Sequence, residues 1–160
     1  MKSASLNELK NELVGLKPND IIALCIRLAK YKKDNKELLT YLLFEANDER
    51  GFIDGVKAEI DQQFESINKT NVYFAKKSLR KILRFANKNI KHSGAKQTEV
   101  DILIYFCSKL RGSGLPIVTN SVLSNLYQRQ VEKIQKSLSS LHEDLQYDYN
   151  DEMESLLRLP

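Results

Sequence analysis

The chain has 160 residues, 42% hydrophobic and 29% charged, with a net charge of +4. That length and balance suit one domain with a core of its own, and exclude a disordered or disulfide-stapled chain. Six glycines and three prolines are too few for a turn-rich β protein, and no run approaches the ~18 apolar residues of a membrane span.

Helical periodicity runs the whole way, punctuated by boundary residues. Ser5 with Glu8 has capping-box spacing and opens a first helix ending near Gly15. Pro18 suits the first turn of a second helix, which runs to about Lys33. Asp34 and Glu37 repeat the capping spacing and open a third, to about Ala46. A fourth is expected over Asp48 to Asn68, with Phe52, Ile53, Val56, Ile60, Phe64 and Ile67 on one stripe. Gly51 and Gly55 weaken its first turns. Thr70 or Asn71 caps the fifth helix, and Gly94 suits the residue beyond its end. Thr98 and Asp101 open the sixth, which stops at Arg111-Gly112-Ser113-Gly114. Residues 112–116, closed by Pro116, read as a flexible joint. The seventh is expected to run from Asn120 to Gln146. Its heptad seam (Tyr127, Val131, Ile134, Leu138, Leu141, Leu145) suits an intramolecular hairpin or a self-association surface. A short helix over Asp151 to Leu157 follows.

The expected fold is a single all-α domain over residues 1–160. It has seven to eight helices in antiparallel pairs, as an irregular bundle or a short right-handed superhelix. DIIALCIRLAKYKK, from Asp20, and DILIYFCSKLR, from Asp101, look alike and begin 81 residues apart. The likeness hints at a duplicated helical pair.

Cys25 and Cys107 sit inside these two apolar runs and read as free thiols acting as small core hydrophobes. MKSASLNELKNELVGL has no apolar h-region, so no signal peptide is expected and the cytoplasm is the expected compartment.

The charge is unevenly spread. Residues 34–65 hold three bases and nine acids, and residues 143–160 hold one base and six acids. Between them, residues 66–98 hold nine bases and no acid. On a helix at about 100° per residue, Val72, Ala75, Leu79, Ile82, Leu83, Ala86 and Ile90 fall on an arc of about 100°. Lys76, Lys77, Arg80, Lys81, Arg84, Lys88 and Lys91 fall on an opposing arc of about 140°, which also holds Tyr73. Phe74 and Phe85 lie at its edge.

Four readings follow. The face meets an acidic protein partner. It binds phosphates, with its aromatics stacking on unpaired bases. It is a solvated face, or is covered by the chain's own acidic residues 34–65 or 143–160. Or it lies on anionic lipid, although the core needs the apolar stripe that lipid would take.

Candidates for chemistry are few. His92 and His142 are the only histidines. His92, near the end of the basic helix, reads as a cap or surface residue. LHEDLQYDYNDEME lacks the second histidine of HExxH and the spacing of an EF-hand loop, so no metal site is expected. Gly112-Ser113-Gly114 has no strand before it to make a phosphate loop, and two distant cysteines make no zinc pattern. No catalytic residue set and no cofactor are expected. A hydrolase would require His142 in a pocket with Asp148 or Glu152.

The order of a short leading helix, an LKPNDIIALCIRLAK helix, the basic KKSLRKILRFANK helix and a long C-terminal helix resembles small bacterial all-helical families of unknown function. The resemblance implies a bacterial cytoplasmic protein and supplies no activity. The leading expectation is a non-enzymatic helical interaction or scaffold module whose basic helix meets an acidic partner. Nucleic-acid binding through the same helix is the alternative.

Overall fold

In the computed structural model residues 2–158 are described, so the acidic C-terminal segment is followed as far as Arg158. Every regular element in them is helical. Nine α-helices run in chain order: α1 (Leu6–Val14), α2 (Pro18–Tyr31), α3 (Lys33–Thr40), α4 (Glu49–Glu65), α5 (Val72–Ser93), α6 (Lys96–Arg111), α7 (Ser121–Leu138), α8 (Glu143–Asp148) and α9 (Asn150–Leu157). A π turn over Tyr41–Glu45 follows α3. The chain divides into two compact units, residues 1–44 and residues 45–160.

The first unit is held by its caps and by α2 against α3. The Ser5 side chain accepts from the Glu8 amide while the Glu8 carboxylate accepts from the Ser5 amide at 2.7 Å, which completes the capping box. Pro18 stands at the first position of α2. The Asn35 side chain donates to the Leu28 carbonyl at 2.9 Å and ties α3 back to α2. None of α1, α2 or α3 has a buried residue.

The second unit has a true core, centred on α6. Apolar residues occupy most of the circumference of α6, which makes it an interior helix. Val100, Ile102, Leu103, Phe106, Cys107 and Leu110 are fully buried, and α6 packs against α4, α5, α7 and α9. Phe64 of α4 meets Phe106 with ring centroids 5.6 Å apart. Burial pushes the Cys107 thiol up to about 12, so it stays protonated and acts as a core hydrophobe. The Tyr127 hydroxyl donates to the Leu156 carbonyl at 2.8 Å, joining α7 to α9. Arg111 donates from the end of α6 to the Ser155 and Arg158 carbonyls and so caps α9.

Two expectations change. The seventh helix does not reach Gln146: α7 stops at Leu138, and α8 starts afresh with His142 as its N-cap. The Ser139 and Ser140 hydroxyls donate to the Lys136 and Ser137 carbonyls, taking up acceptors at the helix end. Within residues 120–146, the seam residues Tyr127, Val131 and Ile134 are buried against the second unit's core, which suits the intramolecular of the two alternatives for this seam. The turn at 112–116 is packed. Ser113 is buried, its hydroxyl donates to the Leu110 carbonyl at 2.6 Å and accepts from the Leu115 amide, and Leu115 and Ile117 enter the core. Gly114 takes the left-handed φ of 76° that this tight turn needs.

Candidate binding face on the basic helix

α5 carries the candidate site. Its start is capped by Asn71, whose side-chain oxygen accepts from the Tyr73 amide at 2.9 Å. Its end is closed by Gly94 at φ 71°, whose amide donates to the Ile90 carbonyl. Lys91 and His92 occupy the last turn, where positive charge favours the negative end of the helix dipole. The predicted inner stripe is the observed one: Ala75, Leu79, Ile82, Leu83, Ala86 and Ile90 are buried. Each fully buried leucine or isoleucine there contributes about 2 kcal/mol. The stripe therefore fixes which way the opposite arc faces.

That opposite arc is open. Lys77, Arg80, Lys81, Arg84 and Lys91 are exposed, and Lys76 and Lys88 are half-buried. Among the described residues, Lys76, Lys77, Arg80, Lys81, Arg84 and Lys91 make no ion pair with any acid. A shallow cleft lined by Tyr73, Lys76, Lys77, Arg80, Leu83 and Arg84 runs along the first half of the helix. Tyr73 is 66% exposed and Phe74 50%. Their rings meet edge to face, with centroids 5.4 Å apart. Phe85 is different: it is partly buried against the core.

The other charged clusters of this unit are occupied structurally. Glu99 on α6 is 6% exposed. It receives Lys96 at 2.8 Å, Lys133 of α7 at 2.9 Å and the Ser137 hydroxyl at 2.7 Å. Lys133 also donates to the Asn87 side chain of α5 at 2.6 Å, so one cluster ties three helices. Burial alone would raise the Glu99 carboxyl, but the hydrogen bonds from Lys96, Ser137 and Lys133 together outweigh it and hold it at about 2. Asp61 of α4 is likewise lowered: burial opposes, while hydrogen bonds from Lys109 and Tyr105 prevail. The Tyr149 hydroxyl donates to Asp101 at 2.9 Å, and burial reinforced by that carboxylate pushes the phenol up to about 12. Sequence spacing reveals only the Lys96–Glu99 pair of these clusters, because their other partners come from distant helices.

His142 is exposed and caps α8, its Nδ1 accepting from the Asp144 amide at 3.4 Å. Asp148 and Glu152 are exposed too, and no described cleft is lined by His142. No group of three potential metal ligands is found among the described residues, and no helix among them is long and apolar enough to cross a membrane. Comparison with protein-family models, with curated proteins and with solved structures returns no match.

Proposed function

We propose that this protein is a non-enzymatic interaction module whose α5 face docks an acidic segment of a partner protein. One observation carries the reading: six cations on one helical face stand without a carboxylate partner among the described residues. The acidic α4 and the acids of α8 and α9 belong to the same unit and form no ion pair with those six. The covering of this face by those segments therefore loses its support. Cations three and four residues apart stand about 5–6 Å from one another on a helix surface, which is also the carboxylate spacing on an acidic helix. Electrostatic complementarity of this kind sets partner choice and association rate more than affinity. We place the protein in the cytoplasm because both cysteines are free thiols.

A second reading has its own observation. The exposed pair of Tyr73 and Phe74 sits at the head of the cationic row, where unpaired bases would stack if the partner were single-stranded nucleic acid. Fluorescence anisotropy on the full chain at low salt separates the two, with poly-L-glutamate, a single-stranded oligonucleotide and a duplex as probes. The expected result is binding of poly-L-glutamate that is lost in Arg80→Glu/Lys81→Glu/Arg84→Glu. Tighter binding of the single strand, weakened in Tyr73→Ala, transfers the face to nucleic acid. Failure to bind any probe at low salt overturns both readings.

A further inference from the structure

The first unit, taken by itself, leaves much of its apolar surface uncovered. Of the twenty large hydrophobic side chains exposed among the described residues, fourteen belong to residues 6–44, Leu6, Ile22, Leu28 and Leu43 among them. On α2, apolar residues extend over about 220° of the circumference. Ile21, Cys25 and Ala29, all half-buried, mark the middle of this arc. Ile22 and Ile26 form one wing and Leu24, Leu28 and Tyr31 the other, and both wings are exposed. A helix apolar around most of its girth belongs in an interior.

We infer that residues 6–44 form an association arm, and that its occupant is the same arm of a second copy of this chain. The area fits. The uncovered apolar residues present on the order of 1,000 Å², and a standard interface takes about 800 Å² from each partner. The size fits as well, because helical units of roughly 40 residues without disulfide or metal are usually completed by oligomerisation. The charges favour a twin over a strongly charged partner. Residues 1–44 hold eight bases and five acids, interleaved along all three helices, so each copy offers both signs to the other across a two-fold axis. A membrane surface suits the arm less well, since interfacial binding needs one flat apolar face and α2 is apolar on both flanks. The inference does not rest on the α5 reading; it concerns a different surface.

Sedimentation equilibrium of the full chain tests it. The native protein is expected at twice its 18.4 kDa chain mass at tens of micromolar, since interfaces of standard size span dissociation constants from about micromolar downwards. Ile22→Glu/Leu28→Glu is expected to weaken association by about a hundredfold or more. Both side chains are 60% exposed in the single chain, so its folding is not at stake, and circular dichroism checks the helical content. Val118→Glu, 58% exposed and outside the arm, is expected to leave the dimer intact. A native protein still monomeric at roughly 100 μM overturns the inference. So does a dimer that the double variant leaves undiminished, or a monomer that co-sediments with phosphatidylcholine–phosphatidylglycerol vesicles.

Discussion

α2 and α6 each carry an apolar run that opens on an aspartate and an isoleucine, Asp20-Ile21 and Asp101-Ile102, and the two runs meet opposite fates. Ile102 and Leu103 of α6 are completely buried, whereas at the matching positions of α2 Ile21 is half-buried and Ile22 is 60% exposed. The difference lies in the neighbours. α6 has four helices around it, while α2 has α3 on one side and its wings open. An apolar helix thus specifies that it must be covered without specifying by what. In the second unit the same chain supplies the cover; in the first, by the inference above, a second copy does.

The comparison breaks if the two helices respond alike to truncation. Phe106→Ala removes a fully buried ring that packs on Phe64 and is expected to cost about 3–5 kcal/mol in urea unfolding. Ile22→Ala, measured at a concentration low enough to keep the chain single, is expected to cost under about 0.5 kcal/mol. A loss above about 2 kcal/mol from Ile22→Ala would mean that α2 is buried within one chain after all.

The next effect in size comes from the Glu99 cluster, which joins α5, α6 and α7. Glu99→Ala takes away the acceptor of the buried Ser137 hydroxyl, while Lys96 and Lys133, 59% and 39% exposed, stay in contact with solvent, and a loss of about 1–3 kcal/mol is expected. Acid acts at the same place. The carboxyl lies at about 2 in the fold against an ordinary 4.5. A lowered value means that its stabilisation is complete above about 4.5 and is lost as the pH falls towards 2. Roughly 2 kcal/mol of the second unit's stability is expected to titrate over that window and to be absent in Glu99→Ala. A pH profile with the same slope in both proteins would place the acid sensitivity elsewhere.

Legibility in the sequence follows how local each cause is. The capping box at Ser5, Pro18 opening α2, and Asn71 and Gly94 bounding α5 are contacts within a turn, so residue type and spacing suffice. The α5 stripe and its basic arc are legible for the same reason, since both follow from one helix's own geometry. The break after Leu138 escapes because Leu138, Leu141 and Leu145 keep heptad spacing straight through it. Two helices with a turn between them carry the same period as one. The Glu99 cluster escapes because Asn87, Lys133 and Ser137 reach it from other helices, and no spacing along the chain announces them. The contrast between α2 and α6 is the limiting case: two apolar runs, with burial decided by what packs alongside.

The smallest effect distinguishes α5's two faces. Arg80 stands three or four residues from Lys77, Lys76 and Arg84, so every neighbour on its own face repels it. Arg80→Glu turns three repulsions into attractions. It is expected to stabilise the fold by about 0.6–1.5 kcal/mol at low salt, at about 0.2–0.5 kcal/mol for each of the three pairs, and the gain should shrink as added salt screens exposed charges. On the inner face, Leu79→Ala should do the reverse and cost about 2–5 kcal/mol irrespective of salt. A substitution that raises stability while weakening partner binding is the behaviour of a surface kept for function against the interest of the fold. If Arg80→Glu instead destabilises the chain, the cations of α5 have an acidic partner within their own fold, and the face proposed for docking is already occupied.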